Sequence, residues 1–456
     1  MNRLSVFMIL ILLGPVGATE AAQAQKSQPE AQKSHPEIAL LKSSDPKVRA
    51  RTARDLGKSG DPSVIPALKA ALTDSDVGVR RDVVIALASI HSAAALEPLA
   101  GASRDSDPGV QTLAIRSMVG YYTGQSPETG FTGFMKKSYT HVKSVFVTDD
   151  TRIDPGVEVD PVVLAALENA VRSARTFQVQ REAAKGLGIL MAKQAVPDLV
   201  NSAHSNDEDL ARESLNALQK IKDTSAGPKL IDLLDSPRDN VKRDACVTVG
   251  LLRAHDAIAK LQLVFQNNPD RKTKEKALEG LAYLGDPVSE PIFVKAVWSQ
   301  NKSFRISAAE GLGRVGDKKV VPDLQKAEAL EKDGEARLAM EFALTALGKD
   351  DYVSSVIQEL GTKLHGDTAQ TYLIELSRNP QFLPKLYPYL VNQDATIRRK
   401  LATVLVYTGD STSLAPLEQL SHDSNTDVAS AALRALRATR ARVAANPGPK
   451  AAGKTP

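Results

Sequence analysis

Apolar residues return at i, i+4, i+5 and i+8 in segment after segment of this chain, as in Val48, Thr52, Ala53 and Leu56, or Phe304, Ala308, Ala309 and Leu312. That stripe follows the 3.6-residue period of a helix with one buried face, not the alternation of a strand. Three stretches set side by side, VRARTARDLGKSGDPSVIPALKAAL, VQREAAKGLGILMAKQAVPDLVNSA and FRISAAEGLGRVGDKKVVPDLQKA, share one plan. Each has an apolar start, a small residue, Leu-Gly, a polar turn and then Pro-x-Leu. The apolar residue before the glycine position falls at Leu56, Leu87, Met118, Leu187, Leu218, Val249, Leu281, Leu312, Leu344, Ile374, Leu405 and Leu436, at spacings of 31, 31, 69, 31, 31, 32, 31, 32, 30, 31 and 31. Pro66, Pro98, Pro197, Pro228, Pro291, Pro322, Pro384 and Pro416 each lie 10 or 11 residues further on, an independent check of the register.

The spacing predicts twelve repeats, each a helical hairpin. Asp45-Pro46, Asp76, Asp107-Pro108, Asp207 and Asp394 are placed to cap the first helix, because aspartate accepts from free N-terminal amides and proline lacks the amide that would be unpaired. Gly57, Gly188, Gly250 and Gly313 allow close backbone approach or end the helix. A hairpin of this size cannot bury its own apolar face, so neighbours must stack. The expected fold is all-α, a right-handed α-α superhelix of about twelve hairpins over residues 37–440.

These residues resemble the HEAT-repeat family, and within it the short bacterial branch known as phycobilisome-lyase HEAT-like repeats. The Asp and first-helix Arg typical of that branch stand here as Asp45/Arg49, Asp76/Arg80 and Asp394/Arg398, and have drifted in repeats three, nine and ten. The resemblance implies an armadillo-like solenoid; a solenoid fold does not by itself imply an activity.

The 69-residue spacing marks an insertion in repeat three, residues 119–160, projecting from one edge of the array. Tyr121, Tyr122, Phe131, Phe134, Tyr139 and Phe146 cluster there although aromatics make up only 4% of the chain. Within it Phe131, Phe134, Met135, Val142, Val145 and Phe146 share one helical face, and Lys136, Lys137, Thr140 and Lys143 the other. Three readings stay open: a segment folded back on the solenoid, a flap that contacts a partner, or a helix lying on a membrane surface. The candidate partner-binding residues are Tyr121, Tyr122, Phe131, Phe134, Lys136, Lys137 and Tyr139. The acids that follow, Asp149, Asp150, Asp154, Glu158 and Asp160, lack the alternate spacing of an EF-hand and read equally well as turn and cap residues.

Charge and termini change the picture in one respect each. The net charge of +4 is concentrated after Leu436, in Arg437, Arg440, Arg442, Lys450 and Lys454, so the body lacks the basic bias that nucleic-acid binding needs. At the other end MNRLSVFMILILLGPVGATEAAQAQ has one arginine, an apolar run from Leu4 to Leu13 and the small-x-small site Ala22-Gln23-Ala24. That is the pattern of a secretory signal peptide, residues 1–24, and it places the mature chain in the periplasm or outside the cell. Residues 25–36 read as a flexible spacer and 441–456 as a disordered basic tail.

Candidate chemistry is sparse. Cys246, the single cysteine, falls at the register of Ala53, Ala184, Ala309 and Ala402 and reads as a small core residue. None of the seven histidines has the His-x-x-x-His spacing of a helical metal site. Some HEAT-like relatives are diiron hydroxylases with His-Glu ligand pairs, and no His-Glu dipeptide occurs here. Bilin lyases, the namesake relatives, attach tetrapyrroles to light-harvesting proteins in the cytoplasm, a setting at odds with a signal peptide. The sequence therefore leads to the expectation of an exported, non-enzymatic scaffold without cofactor, holding an unidentified protein or envelope polymer. The alternative is a lyase- or oxidoreductase-like enzyme or accessory that binds a tetrapyrrole under the flap, or a peripheral membrane protein.

Overall fold

The structure, a computed structural model, describes residues 35–124 and 152–445. Among these residues there is no strand, and twelve first helices follow one another. They are Pro46–Lys58, Val77–Ile90, Pro108–Thr123, Phe177–Ile189, Glu208–Ile221, Asp239–Leu251, Arg271–Leu284, Lys302–Val315, Gly334–Ala346, Gly366–Leu376, Ala395–Thr408 and Thr426–Ala445. The predicted caps form: the carboxylates of Asp45, Asp76, Asp107, Asp207 and Asp394 each accept a bond from an amide in the first turn. Most repeats return through a short 3-10 turn and a second helix, as Lys318–Val320 leads into Val321–Leu330. Repeats five and ten return through 3-10 turns alone, Thr224–Asp235 in one and Leu383–Lys385 with Tyr387–Val391 in the other. The last first helix continues to Ala445, past the boundary expected at residue 440. Arg442 on that stretch donates to the carbonyls of Gly409 and Val406.

The stacked first helices carry the core. Leu56, Leu87, Met118, Leu187, Leu218, Val249, Leu281, Leu312, Leu344, Leu405 and Leu436 are all buried at the predicted register. Repeat ten departs from it: Leu373 is fully buried, whereas Ile374 is only half-buried. Its first helix starts at Gly366 without a side-chain cap and its return has no α-helix, so the helix rotates by one residue and turns Tyr372 inward. The small residues that recur from repeat to repeat are spacers. A Cβ on Gly57, Gly188, Gly250 or Gly313 would lie 2.5, 2.7, 2.4 or 2.8 Å from the backbone of the neighbouring first helix. Close approach, not helix termination, is what these glycines provide. Cys246 lies inside this packing with no exposed surface, and burial pushes its thiol up to about 12, which removes it as a nucleophile.

A ladder of ion pairs runs along the edge between repeats. Arg49 grips Asp74 with two bonds of 2.6 and 2.8 Å and donates a third to the carbonyl of Ser43. Arg80 repeats this with Asp105, Arg305 with Glu331 and Arg398 with Asp423. Each first-helix arginine thus pairs with the acid after its own hairpin, about one repeat ahead, rather than with its own cap. Gln111 and Gln180 replace it in repeats three and four and keep only the carbonyl bond.

Candidate functional site

Side chains four residues apart on a first helix stand one above the other. In repeats seven and eight that ridge is Glu279/Tyr283 and Glu310/Arg314, and in repeat nine Phe342 occupies it. Bonds along it skip a whole repeat. Arg314 grips Glu375 in repeat ten through Nε and Nη2 at 2.7 and 2.9 Å, while Tyr372 donates to Glu310 at 2.6 Å. Arg314 also donates to Glu310 at 3.1 Å and to the carbonyl of Ala282 at 3.3 Å. Side chains two repeats apart meet only where the array bends toward them, so the first helices line the concave side.

Rings and charges interleave here. The Phe342 ring stacks on Tyr372 at 4.3 Å and 19°, and the Arg314 guanidinium lies 4.8 Å from the Tyr283 ring centre. Burial opposes the Arg314 charge, but Glu310 and Glu375 outweigh it and hold the guanidinium charged. Burial would likewise raise Glu375, yet its bonds to Arg314 keep it below the usual carboxylate range. Burial raises Glu279, paired with Lys276 at 2.8 Å. In this centre every charge has a partner, so it works as a rigid polar wall rather than as a loose acid or base. Beside it opens a cavity of about 330 Å³ with Phe342 and Phe382 as apolar walls and Asn379, Gln381 and Lys385 at the rim. Both rings are buried behind this rim, so what the cavity presents is chiefly the exposed amides of Asn379 and Gln381 and the Lys385 ammonium, which pairs with Asp350. Among the described residues, no cluster of His, Cys, Asp and Glu is arranged to hold a metal ion.

The segment that returns from the insertion enters the same concave space. The amide of Ile153 donates to the carbonyl of Ile189 in repeat four at 3.0 Å, and the Ile153 side chain is buried. Beside it the Asp154 carboxylate takes both arms of the Arg434 guanidinium of repeat twelve. The Arg152 guanidinium lies 4.9 Å from the centre of the Tyr407 ring in repeat eleven. Glu158 and Asp160, the remaining acids of this stretch among the described residues, do not join it, and Asp160 caps the helix Pro161–Ser173.

Of the candidate residues named from sequence, Tyr121 and Tyr122 belong to the last turn of the helix Pro108–Thr123 and are half-buried. The Tyr121 ring packs 4.9 Å from His91 and edge-on to Tyr122. The Tyr122 hydroxyl accepts from the amide of Asp160 at 2.8 Å, so the two tyrosines tie the start of the insertion to its end. Phe131, Phe134, Lys136, Lys137 and Tyr139 lie outside the described residues, as do residues 1–34 and 446–456. Sequence reasoning missed the Arg314 centre. Its one signal was a run of bulky or charged residues, Tyr283, Glu310, Arg314 and Phe342, on the ridge of successive first helices. Among the described residues no helix is long and apolar enough to cross a membrane.

Comparison with known proteins bears on both fold and activity. A curated relative, phycocyanobilin lyase subunit alpha of Nostoc sp. (strain PCC 7120), is 27% identical over 182 residues, covering 36% of this chain and 64% of the relative. The chain thus matches a little under two thirds of that protein's length. Two solved structures align with this chain at low similarity. One is an engineered protein (TM-score 0.39, 17% identity, 88% of this chain and 97% of that chain). The other is the complex of CpcE and CpcF of phycocyanin lyase from Nostoc sp. PCC7120 (TM-score 0.29, 19% identity, 68% and 94%). The lyase relative overturns the expectation of a non-enzymatic envelope scaffold, and with it the setting aside of bilin lyases on the strength of the N-terminal sequence. The profile of HEAT repeats matches residues 37–119, 164–250 and 258–345, more than half of the chain, and so this protein belongs to the HEAT-repeat family.

Proposed function

We propose that this protein is a lyase-type HEAT solenoid that holds an open-chain tetrapyrrole on its concave face during attachment to, or release from, an acceptor protein. The observation that carries this reading is the 27% identity with a phycocyanobilin lyase subunit. The concave face supports it on chemical grounds. A bilin is a long conjugated plane with pyrrole N–H donors and two propionates. Asn379 and Gln381 are exposed and offer amide partners, Lys385, paired with Asp350, lies on the same rim as a cation for a carboxylate, and the buried Phe342 and Phe382 rings back them. The wall formed by Arg314, Glu310 and Glu375 fixes the shape of this surface without lending its own charges. With Cys246 buried, the thiol of a thioether linkage belongs to the acceptor. The N-terminal sequence makes an extracytoplasmic site of action part of the proposal.

The test uses the mature chain, residues 25–456, mixed with phycocyanobilin and then with apo-phycocyanin as a thiol-bearing acceptor. Saturable changes in bilin absorbance, followed by a faster yield of covalently coloured acceptor on a denaturing gel, are expected. Binding without any gain in covalent product sinks the lyase role. The absence of both sinks the whole reading.

A further inference from the structure

We propose that Arg152–Asp154 form a strap that ties repeat four to repeats eleven and twelve and closes the superhelix into a ring. Three contacts of different kinds carry this. The backbone of Ile153 is pinned to repeat four through the Ile189 carbonyl at 3.0 Å, with its side chain buried. Asp154 pairs with Arg434 across 280 residues of sequence. Arg152 lies over the Tyr407 ring at 4.9 Å. Ile189, Tyr407 and Arg434 all stand on first helices, and the first helices line the concave side, so these contacts cross the interior of the superhelix instead of running along its outside.

The strap is also held at its own far end. Residues Arg152 to Asp160 lead into the helix Pro161–Ser173, and the Tyr122 hydroxyl holds the Asp160 amide at 2.8 Å. One end of the crossing is therefore fixed to repeat three, its middle to repeat four, and its side chains to the far wall. The two halves differ in strength. The Ile153 anchor is buried and built from a backbone bond, whereas the side chains of Arg434 and Asp154 are 44% and 30% exposed. A pair exposed to that degree adds little stability and is weakened by salt. The strap thus stays on repeat four and releases at repeats eleven and twelve, which makes the Asp154–Arg434 pair the clasp. Without it the distance between repeats four and eleven is set by the stacking of neighbours and, between repeats eight and ten, by the Arg314–Glu375 and Tyr372–Glu310 bonds, and small changes at the remaining junctions add up along a solenoid. With it the concave groove keeps one width. This inference does not rest on the lyase reading, because it concerns the ring whatever the groove holds.

The experiment measures the ring directly. Spin labels are placed on the full mature chain at Lys193→Cys in repeat four and Ala415→Cys in repeat eleven, both exposed, while buried Cys246 stays unlabelled. Distances are measured by pulsed electron resonance in the otherwise native chain, in Asp154→Arg, in Arg434→Asp and in the double exchange of both charges, with helicity checked for each. A single short distance is expected in the native chain, a longer and broader distribution in either reversal, and recovery of the short distance in the double exchange. High salt is expected to broaden the native distribution in the same way. If either reversal keeps the native distance while remaining helical, or if the double exchange folds and fails to recover it, the strap proposal is overturned.

Discussion

Glu341 occupies a position where repeats one, four, eight and eleven have Ala53, Ala184, Ala309 and Ala402. It is buried, and among the described residues its carboxylate has no hydrogen-bond partner. Burial is the main cause, with Glu328 and Glu359 nearby and only Arg337 opposing, that pushes it up to about 7. A carboxyl raised in the folded state favours the folded chain when protonated. Its contribution is therefore complete below its unfolded value of about 4.5 and is lost as pH rises through about 7. Glu341→Gln should leave the melting temperature nearly unchanged at pH 5 and raise it at pH 8. The gain, allowing for solvent screening, is on the order of 1–2 kcal/mol. An equal effect at both pH values would show that the group does not titrate as its surroundings imply. Repeat ten offers a second test at this scale. Leu373→Ala, like Leu312→Ala, should cost roughly 2–5 kcal/mol in denaturant unfolding, and Ile374→Ala clearly less. The reverse order would restore the register read from sequence, which placed Ile374 at the core position because the 30- and 31-residue spacings around it do not show that this helix has rotated.

Between elements, the spacing of first helices depends on residues without side chains. Gly280→Ala would place a Cβ 2.2 Å from the carbonyl oxygen of Cys246, and that oxygen belongs to a packed helix that cannot step aside. It should lower stability by roughly 1–3 kcal/mol, as overpacking does. In the return helix Leu96–Ala102, Gly101 has nothing within 4 Å of its Cβ position. Gly101→Ala should stabilise by about 0.4–1 kcal/mol because alanine is the better helix former and orders the unfolded chain more. Thermal melts of the two variants moving in the same direction would contradict the close-packed reading of the first-helix layer. The arginine ladder belongs to this scale as well. Arg80→Gln keeps the kind of carbonyl bond that Gln111 makes in repeat three, so its denaturant midpoint should lie between those of the native chain and Arg80→Ala. In the sequence Asp76 and Arg80 stand as a motif that names no ion-pair partner for the arginine. Only the stack shows that Asp105 is the acid within reach.

For the whole molecule, curvature decides where a site can be. The concave face gathers Tyr283, Glu310, Arg314, Phe342, Tyr372 and Glu375 into one wall, and the strap at Arg152–Asp154 spans the space in front of the first helices. A bilin held there should bind more weakly to Gln381→Ala by absorbance titration, with a melting temperature close to native since that side chain is exposed at the cavity rim. Unchanged affinity would move the ligand elsewhere on the face. What the sequence determined alone is the repeat: its period, its caps, its buried leucines and its glycine spacers all follow from interactions inside one hairpin or with the next, and such interactions leave a regular spacing. The Arg314 centre, the rotation of repeat ten and the strap were decided by tertiary structure. The Arg314 centre and the strap join residues 61 and 280 positions apart that meet only through the bend of the superhelix, and that bend is the sum of small rotations at every junction. No local pattern records such a sum. The sequence thus defined the building unit, and the stacking of units defined which residues face one another across the groove.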